Sequence, residues 1–304
     1  MTATTAPTRR TTIDRGHPTG RARTNFLIFA LVTIGIGWIG VALDQATNAP
    51  HANSTGMGLW FTVPALTAIA LYLVHRDGGG TLGLTLRFPH RTRWFTLATL
   101  IYPAVTAVIV LVGIAAGIVT FHPAPSPGKP TFLLAFLAAL APMTVKNTIE
   151  EFIFRGYGTR TAVALGLRGV RPHLLVGVVW ALWHVPFYAY FLTRADLRAT
   201  TSLPLLLFLP VFIAGVLATA VVFGELRVQT GSIWPGVVLH TIGGATVNTL
   251  LLDGHLRFGG HGDALFTPAP NSIAFIATFA LVALLLAGHR SRTLPAARNP
   301  SQQQ

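Results

Sequence analysis

Eight long runs with almost no charge recur along the chain, at about residues 26–43, 57–74, 94–120, 131–157, 172–192, 203–224, 230–252 and 272–288. Most have the length of 17–25 residues, roughly, that a helix needs to cross a bilayer, and two run longer, as a tilted helix can. The runs are continuous rather than alternating, which excludes a transmembrane β-barrel. With 52% hydrophobic and only 10% charged residues, and a mean hydropathy of +0.59, the chain is too apolar for a soluble globular protein of its size. The expected fold is all-α: a polytopic membrane protein, a bundle of about eight transmembrane helices around an intramembrane polar cavity.

Turn chemistry punctuates the runs, at Asp77–Gly80, at the proline-rich stretch His122–Pro130 and at Gly231. Residues 1–25 are polar, rich in Thr and Arg and unsuited to a packed core, so they are expected to form a disordered tail; 289–304 reads as a polar C-terminal tail. Arg9-Arg10 resembles a twin-arginine signal, but the next apolar run starts late and lacks a small-residue cleavage site, so it reads as an uncleaved anchor. Gly113 and Gly117 form a GxxxG, expected to serve close packing within the bundle. Neither an internal repeat nor a second domain is visible.

The net charge of +13 would suggest nucleic acid in a soluble chain, but here the cations fall in loops and tails, so no nucleic-acid partner is expected. With the N-terminus cytoplasmic, Arg9, Arg10, Arg15, Arg21, Arg23, Arg76, Arg87, Arg91, Arg93, Arg155, Arg160, Arg168, Arg171, Arg227, Arg290, Arg292 and Arg298 lie on the cytoplasmic side. Lys129, Arg194, Arg198 and Arg257 lie opposite, and Lys146 within a span. That asymmetry predicts both termini in the cytoplasm of a bacterial cell and the chain integral to its cytoplasmic membrane, with lipid as its surroundings. The absence of cysteine removes thiol nucleophiles, disulfides and thiolate metal sites.

Only nine residues are acidic, and two of them, Glu150 and Glu151, stand together inside the fourth run. A carboxylate in hydrocarbon costs about 2.5–3.5 kcal/mol on insertion scales, so each needs a partner or a use. Helical spacing pairs Lys146 with Glu150 and Glu151 with Arg155, and a purely structural reading would stop at these two ion pairs. Consecutive residues point about 100° apart, however, so the carboxylates cannot share one environment; one can be held by Arg155 while the other faces a cavity. His184 sits in the fifth run beside Pro186, which cannot donate to the carbonyl of Leu182 and so opens the helix; Trp180, one turn earlier, could wall the site. His240 lies in the seventh run, with Asn248 two turns further on. Counted from the cytoplasmic ends, Glu151, His240 and His184 all lie about 10–18 Å deep, at about 1.5 Å per residue, which points to one site on three helices.

Two imidazoles and a carboxylate can activate water in two ways. A zinc or other divalent ion on Glu150, His184 and His240 would lower the pKa of its water. Alternatively, a glutamate polarises the water without metal, while histidine and a further donor assist. HExxH, the helical zinc-protease signature, is absent.

Glu150-Glu151-Phe-Ile-Phe-Arg155, Trp180-xxx-His184 and Gly231-Ser-Ile-Trp-Pro-Gly-Val-Val-Leu-His240 resemble, in order, the EExxxR, aromatic-xxx-His and third conserved blocks of one family. It is the CAAX-protease and bacteriocin-processing (CPBP, or ABI) intramembrane proteases, similar to the type II prenyl-protein endopeptidase. The likeness spans about 130–250 and implies an endopeptidase, glutamate- or metal-dependent, acting on a membrane-associated or lipidated peptide or protein, within a protease-like core at 130–252. It implies that Glu150 activates water with His184, that Arg155 orients the glutamate pair and that His240 supports the oxyanion. The chain departs from the family at Gly244, where Asn is usual. Either Asn248 serves from a shifted helix, or oxyanion support is weaker, or activity is lost. A non-catalytic membrane protein that binds peptide, as in bacteriocin immunity, is the alternative; a proton-coupled transporter is a third reading, weakened by the lack of paired broken half-helices.

Overall fold

The computed structural model describes residues 20–74, 80–86 and 91–293. Eight helices among the described residues are long and apolar enough to cross a membrane. In chain order the elements begin with α1 (Gly20–Thr47), α2 (Thr55–Val74), α3 (Thr92–Ala115), the short strand β1 (Val119–Phe121) and α4 (Phe132–Glu151). α4 runs on through a π-helical segment (Phe152–Thr159) into α5 (Arg160–Ala164). Next come α6 (Arg171–Pro186), which passes into a π turn (Phe187–Phe191), α7 (Arg194–Thr200), α8 (Leu205–Thr230) and α9 (Trp234–Leu252). The series closes with β2 (Leu256–Phe258), α10 (Asp263–Phe266) and α11 (Ile273–Thr293).

Three expected boundaries move. The first helix begins at Gly20, inside the stretch expected to be disordered, because Ala22 and Asn25 are buried and packing carries the helix outward; residues 1–19 lie outside the described residues. The last helix runs to Thr293, so 289–293 are helical rather than tail, and 294–304 are outside the described residues. α3 stops at Ala115. Gly117 adopts φ +70°, Gly117 N–H donates to the carbonyl of Ile114 at 2.9 Å, and Ile118 N–H reaches back to Gly113 at 3.0 Å, a Schellman cap. Gly113 and Gly117 are therefore not one helical face. Gly113 does serve close packing inside the bundle: a Cβ there would collide with Val119 and come within 3.2 Å of Phe266.

The apolar interior has two large centres among the described residues, with a smaller third around Val119, Leu250 and Leu256. One gathers Phe29 of α1, Trp60 of α2, Phe154 of the π-helical segment, Trp183 of α6 and Phe208 of α8. The other gathers Tyr102 of α3, Phe223 of α8, Leu239 of α9 and Phe279 of α11. α8 contributes to both, and α4 packs along α9 between them. In α1 and α2, Gly40 and Gly56 let the backbones approach so closely that a Cβ at either would strike the other's carbonyl, and Gly56 N–H donates to Asp44 at 2.9 Å. Outward faces carry exposed leucines such as Leu31, Leu66, Leu111, Leu206 and Leu284, as a lipid-facing surface requires.

The two ends of the bundle are tied by different loops. At one end β1 and β2 pair antiparallel, Val119 opposite Phe258, and Lys129 meets Asp253 at 3.4 Å. At the other, the segment 80–86 is stitched to the α8–α9 turn: Arg227 donates to the carbonyl of Thr81 at 2.6 Å, Ile233 N–H to Gly83 at 2.9 Å and the Trp234 indole to Leu84 at 2.7 Å.

Candidate functional site

Glu150 and Glu151 close α4, each 1% exposed, and the helix changes winding immediately after them. The π-helical stretch is held open by side chains: Thr159 Oγ1 donates to the carbonyl of Phe154 at 3.1 Å, and Arg227 Nε to that of Arg155 at 3.2 Å. Such insertions recur at functional sites because the extra residue per turn re-aims the side chains around it.

Glu151 is the held carboxylate. Arg155 Nε lies 3.6 Å from its Oε2, and His240 Nδ1 donates to Oε1 at 3.2 Å. The Arg155 guanidinium has no hydrogen-bond partner; it lies over the indole of Trp180 at 4.5 Å and the ring of Phe223 at 5.3 Å, a cation on aromatic faces in a dry setting. Gly236 makes room for this carboxylate, since a Cβ there would sit 2.6 Å from Glu151 Oε2.

Glu150 is the carboxylate that meets the rest. Lys146 Nζ lies against its Oε1, Trp180 Nε1 donates to Oε2 at 3.3 Å, and His240 Nε2 stands 3.9 Å from Oε2. His240 thus lies between the two glutamates, Nδ1 committed to one and Nε2 turned to the other. Two basic side chains, Lys146 and Arg155, stand beside the two acidic ones, so each acidic group in the helix bundle has an opposite partner. Both intrahelical pairs expected from the spacing are present, but they are part of a larger cluster.

His184 comes close without direct bonding. Its Nδ1 donates to the carbonyl of Trp180 at 2.9 Å, which fixes the proton there and leaves Nε2 for a ligand; its ring lies 5.8 Å from that of Trp180 and within electrostatic range of Glu150 and His240. The helix opening expected at Pro186 is used by packing: Phe187 N–H turns to the carbonyl of His184, and the carbonyl of Trp183 accepts from Trp60 at 2.7 Å. Trp183 Nε1 answers with a bond to the carbonyl of Trp60 at 3.0 Å, the indoles stacked at 4.3 Å.

Of the residues singled out from sequence, Glu150, Glu151, Arg155 and His240 converge and His184 lies beside them. Asn248 does not join: it is exposed, eight residues beyond His240 and so about 12 Å along the helix. Sequence reasoning gave no site role to Asn147. It is 1% exposed, its Oδ1 accepts from Lys146 Nζ at 3.3 Å, and its Nδ2 has no partner. The signal was available in principle, because Asn147 lies one turn before Glu151, on the face that meets α9.

The zinc arrangement on Glu150, His184 and His240 does not fit. Among the described residues no three His, Asp or Glu side chains converge closely enough to hold a metal ion, and the ammonium of Lys146 lies where a cation on Glu150 would be repelled.

Compared with known proteins, residues 127–246 match the family model of the type II CAAX prenyl endopeptidase Rce1-like proteins. The matched stretch contains Asn147, both glutamates, Arg155, Trp180 and both histidines. No curated protein matches the chain.

Proposed function

From a chain that carries an Rce1-like domain over residues 127–246, we propose an intramembrane endopeptidase that cleaves a membrane-associated or lipidated peptide or protein by a glutamate-activated water. The family match supports a CAAX-type intramembrane protease; the residue roles are our reading of the geometry. The observation that carries it is His240 placed between two carboxylates, 3.2 Å from Glu151 and 3.9 Å from Glu150.

Glu151 and Arg155 form the fixed frame. The pair orients His240 through its Nδ1–H, so that Nε2 faces Glu150. Glu150 is the base: it takes a proton from a water, and the resulting nucleophile attacks the peptide carbonyl. The imidazoles of His184 and His240 hold the attacking water or the developing oxyanion. Glu150 then returns the proton to the departing amine, which leaves an acid and an amine and restores the carboxylate. Lys146 pairs with Oε1 of Glu150 while its own side chain stays 41% exposed.

Access supports a membrane-held substrate. α4 exposes Leu133, Leu134 and Leu137 in its first half and Val145 in its second, at 54–65%, while the same helix packs along α9. A tethered peptide can therefore approach the carboxylates sideways from lipid. The protease core is the 130–252 region, the Arg-rich end faces the cytoplasm of a bacterium, and the substrate's lipid need not be prenyl.

The test is cleavage of a library of quenched fluorescent peptides, each carrying a lipid anchor, by purified protein in liposomes. Wild type cleaves at least one member and Glu150→Ala does not. Cleavage that survives the substitution removes Glu150 from the chemistry and favours a peptide-binding protein of the same fold.

A further inference from the structure

Besides the Arg155 guanidinium, which lies on aromatic rings, the cluster contains a second donor without a partner. Asn147 is 1% exposed, yet its Nδ2 carries two N–H groups with no partner. A buried amide left unpaired costs about 1–3 kcal/mol, so an acceptor that reaches this one is favoured. Its orientation is fixed from the other end, because Oδ1 accepts from Lys146 Nζ at 3.3 Å and Lys146 in turn holds Glu150. The amide cannot flip to hide its donors without turning them on an ammonium.

Nδ2 faces a stretch of α9 that carries no side chain. α4 and α9 pack together, so His240 meets Glu151 and, one turn along each helix, Gly244 stands opposite Asn147. Gly244 is half-buried and has no side chain; a Cβ there would lie 3.9 Å from Asn147 Nδ2 and 3.4 Å from Met143 Sδ, in ordinary contact with both. The glycine is not demanded by a collision or by its backbone, since it lies within α9 and has no positive φ. The backbone of α9 at Gly244 thus lies bare opposite Nδ2, one turn away from Glu150.

We propose that Asn147 is a catalytic residue that donates Nδ2–H to the carbonyl oxygen of the scissile peptide bond, with that carbonyl seated over Gly244. This rests on the hydrolase reading above. As the water oxygen bonds to the carbonyl carbon and gives its proton to Glu150, the C=O π pair moves onto oxygen, and Asn147 meets that charge with a hydrogen bond. When the tetrahedral species collapses, the pair returns to the carbonyl, the C–N bond breaks, and the amine takes the proton from Glu150. Asn147 gives up no proton in either step, so its contribution is electrostatic and greatest at the oxyanion.

The experiment uses the full-length protein in liposomes and the lipidated quenched peptide that wild type turns over fastest. Glu150→Ala is run first. If no Glu150-dependent cleavage exists, the hydrolase reading fails and this inference with it. If it exists, Asn147→Ala should lower kcat on the order of 10²-fold, the usual loss of one oxyanion donor, with KM little changed. Its melting temperature should hold or rise, because an orphaned polar group has been removed. Asn147→Ala with Gly244→Asn, which returns an amide from α9, should recover much of the lost kcat. An unchanged kcat in Asn147→Ala beside an inactive Glu150→Ala overturns the assignment and leaves the hydrolase intact. A kcat loss that travels with a lower melting temperature and is not rescued by Gly244→Asn also overturns it, in favour of a packing role.

Discussion

Two buried clusters in this molecule are built from the same residue types, and only one of them has room for anything else. Glu225 of α8 is gripped by Arg290 of α11 at 2.9 Å, by Gln229 at 3.2 Å and by His173 of α6 at 3.4 Å. Glu225 and His173 are both fully buried, and a Cβ on the neighbouring Gly224 would overlap the imidazole. The Glu150–Glu151 cluster has an Arg and a His as well. Yet His240 keeps 19% of its side chain accessible, Lys146 keeps 41%, Asn147 has an unused donor, and Gly244 opposite it has no side chain. The first cluster staples three helices and is closed, while the second keeps accessible side chains beside its carboxylates. Residue chemistry alone does not separate the two. Accessibility does.

The sharpest way to break this comparison is to remove the carboxylate from each cluster. Glu150→Ala should lower kcat on the order of 10²–10⁴-fold, the scale of a lost general base, while the melting temperature changes little. Glu225→Ala should do the reverse. It strands a buried histidine and uncouples Arg290, at a cost of about 3–5 kcal/mol in stability, with kcat per folded molecule retained. Thermal melts beside kcat measurements decide both. If Glu225→Ala loses activity at full stability, the staple is part of the site.

A smaller effect probes the frame. Gly236→Ala places a methyl 2.6 Å from Glu151 Oε2. The carboxylate must shift, His240 loses its anchor, and kcat should fall, although alanine in a helix interior favours the fold by up to about 1 kcal/mol. Activity down with stability level or up would mark Glu151 as a positioning group. The smallest effect is expected at Asn248, which is exposed and apart from the cluster: Asn248→Ala should leave kcat alone and move stability by no more than about 0.5 kcal/mol.

Some of this was legible before any coordinates. The long uncharged runs gave the eight crossings, because a bilayer leaves a backbone no other way to satisfy its polar groups. The i,i+4 pairs Lys146–Glu150 and Glu151–Arg155 followed from helical spacing, and both occur. Expectations failed where local composition was overridden. Gly117 turned out to be a cap because its left-handed backbone ended the helix, and residues 20–25 joined α1 because Ala22 and Asn25 found partners to pack on. Asn248 was placed near His240 by periodicity, which says which residues share a side of one helix and nothing about what that side meets.

The sequence by itself determined the class of molecule, its crossing segments and which of them carry buried acidic and basic side chains, since hydrocarbon length and charge cost act on each segment separately. Only the tertiary structure decided that Glu151 is framed by Arg155 and His240, that Glu150 is the carboxylate bound by Lys146 and Trp180, that Glu225 is a staple, and that Asn147 faces Gly244. Those distinctions depend on how α4 is rotated against α9 and α8 against α6 and α11, and those rotations are set by packing between segments far apart in the chain.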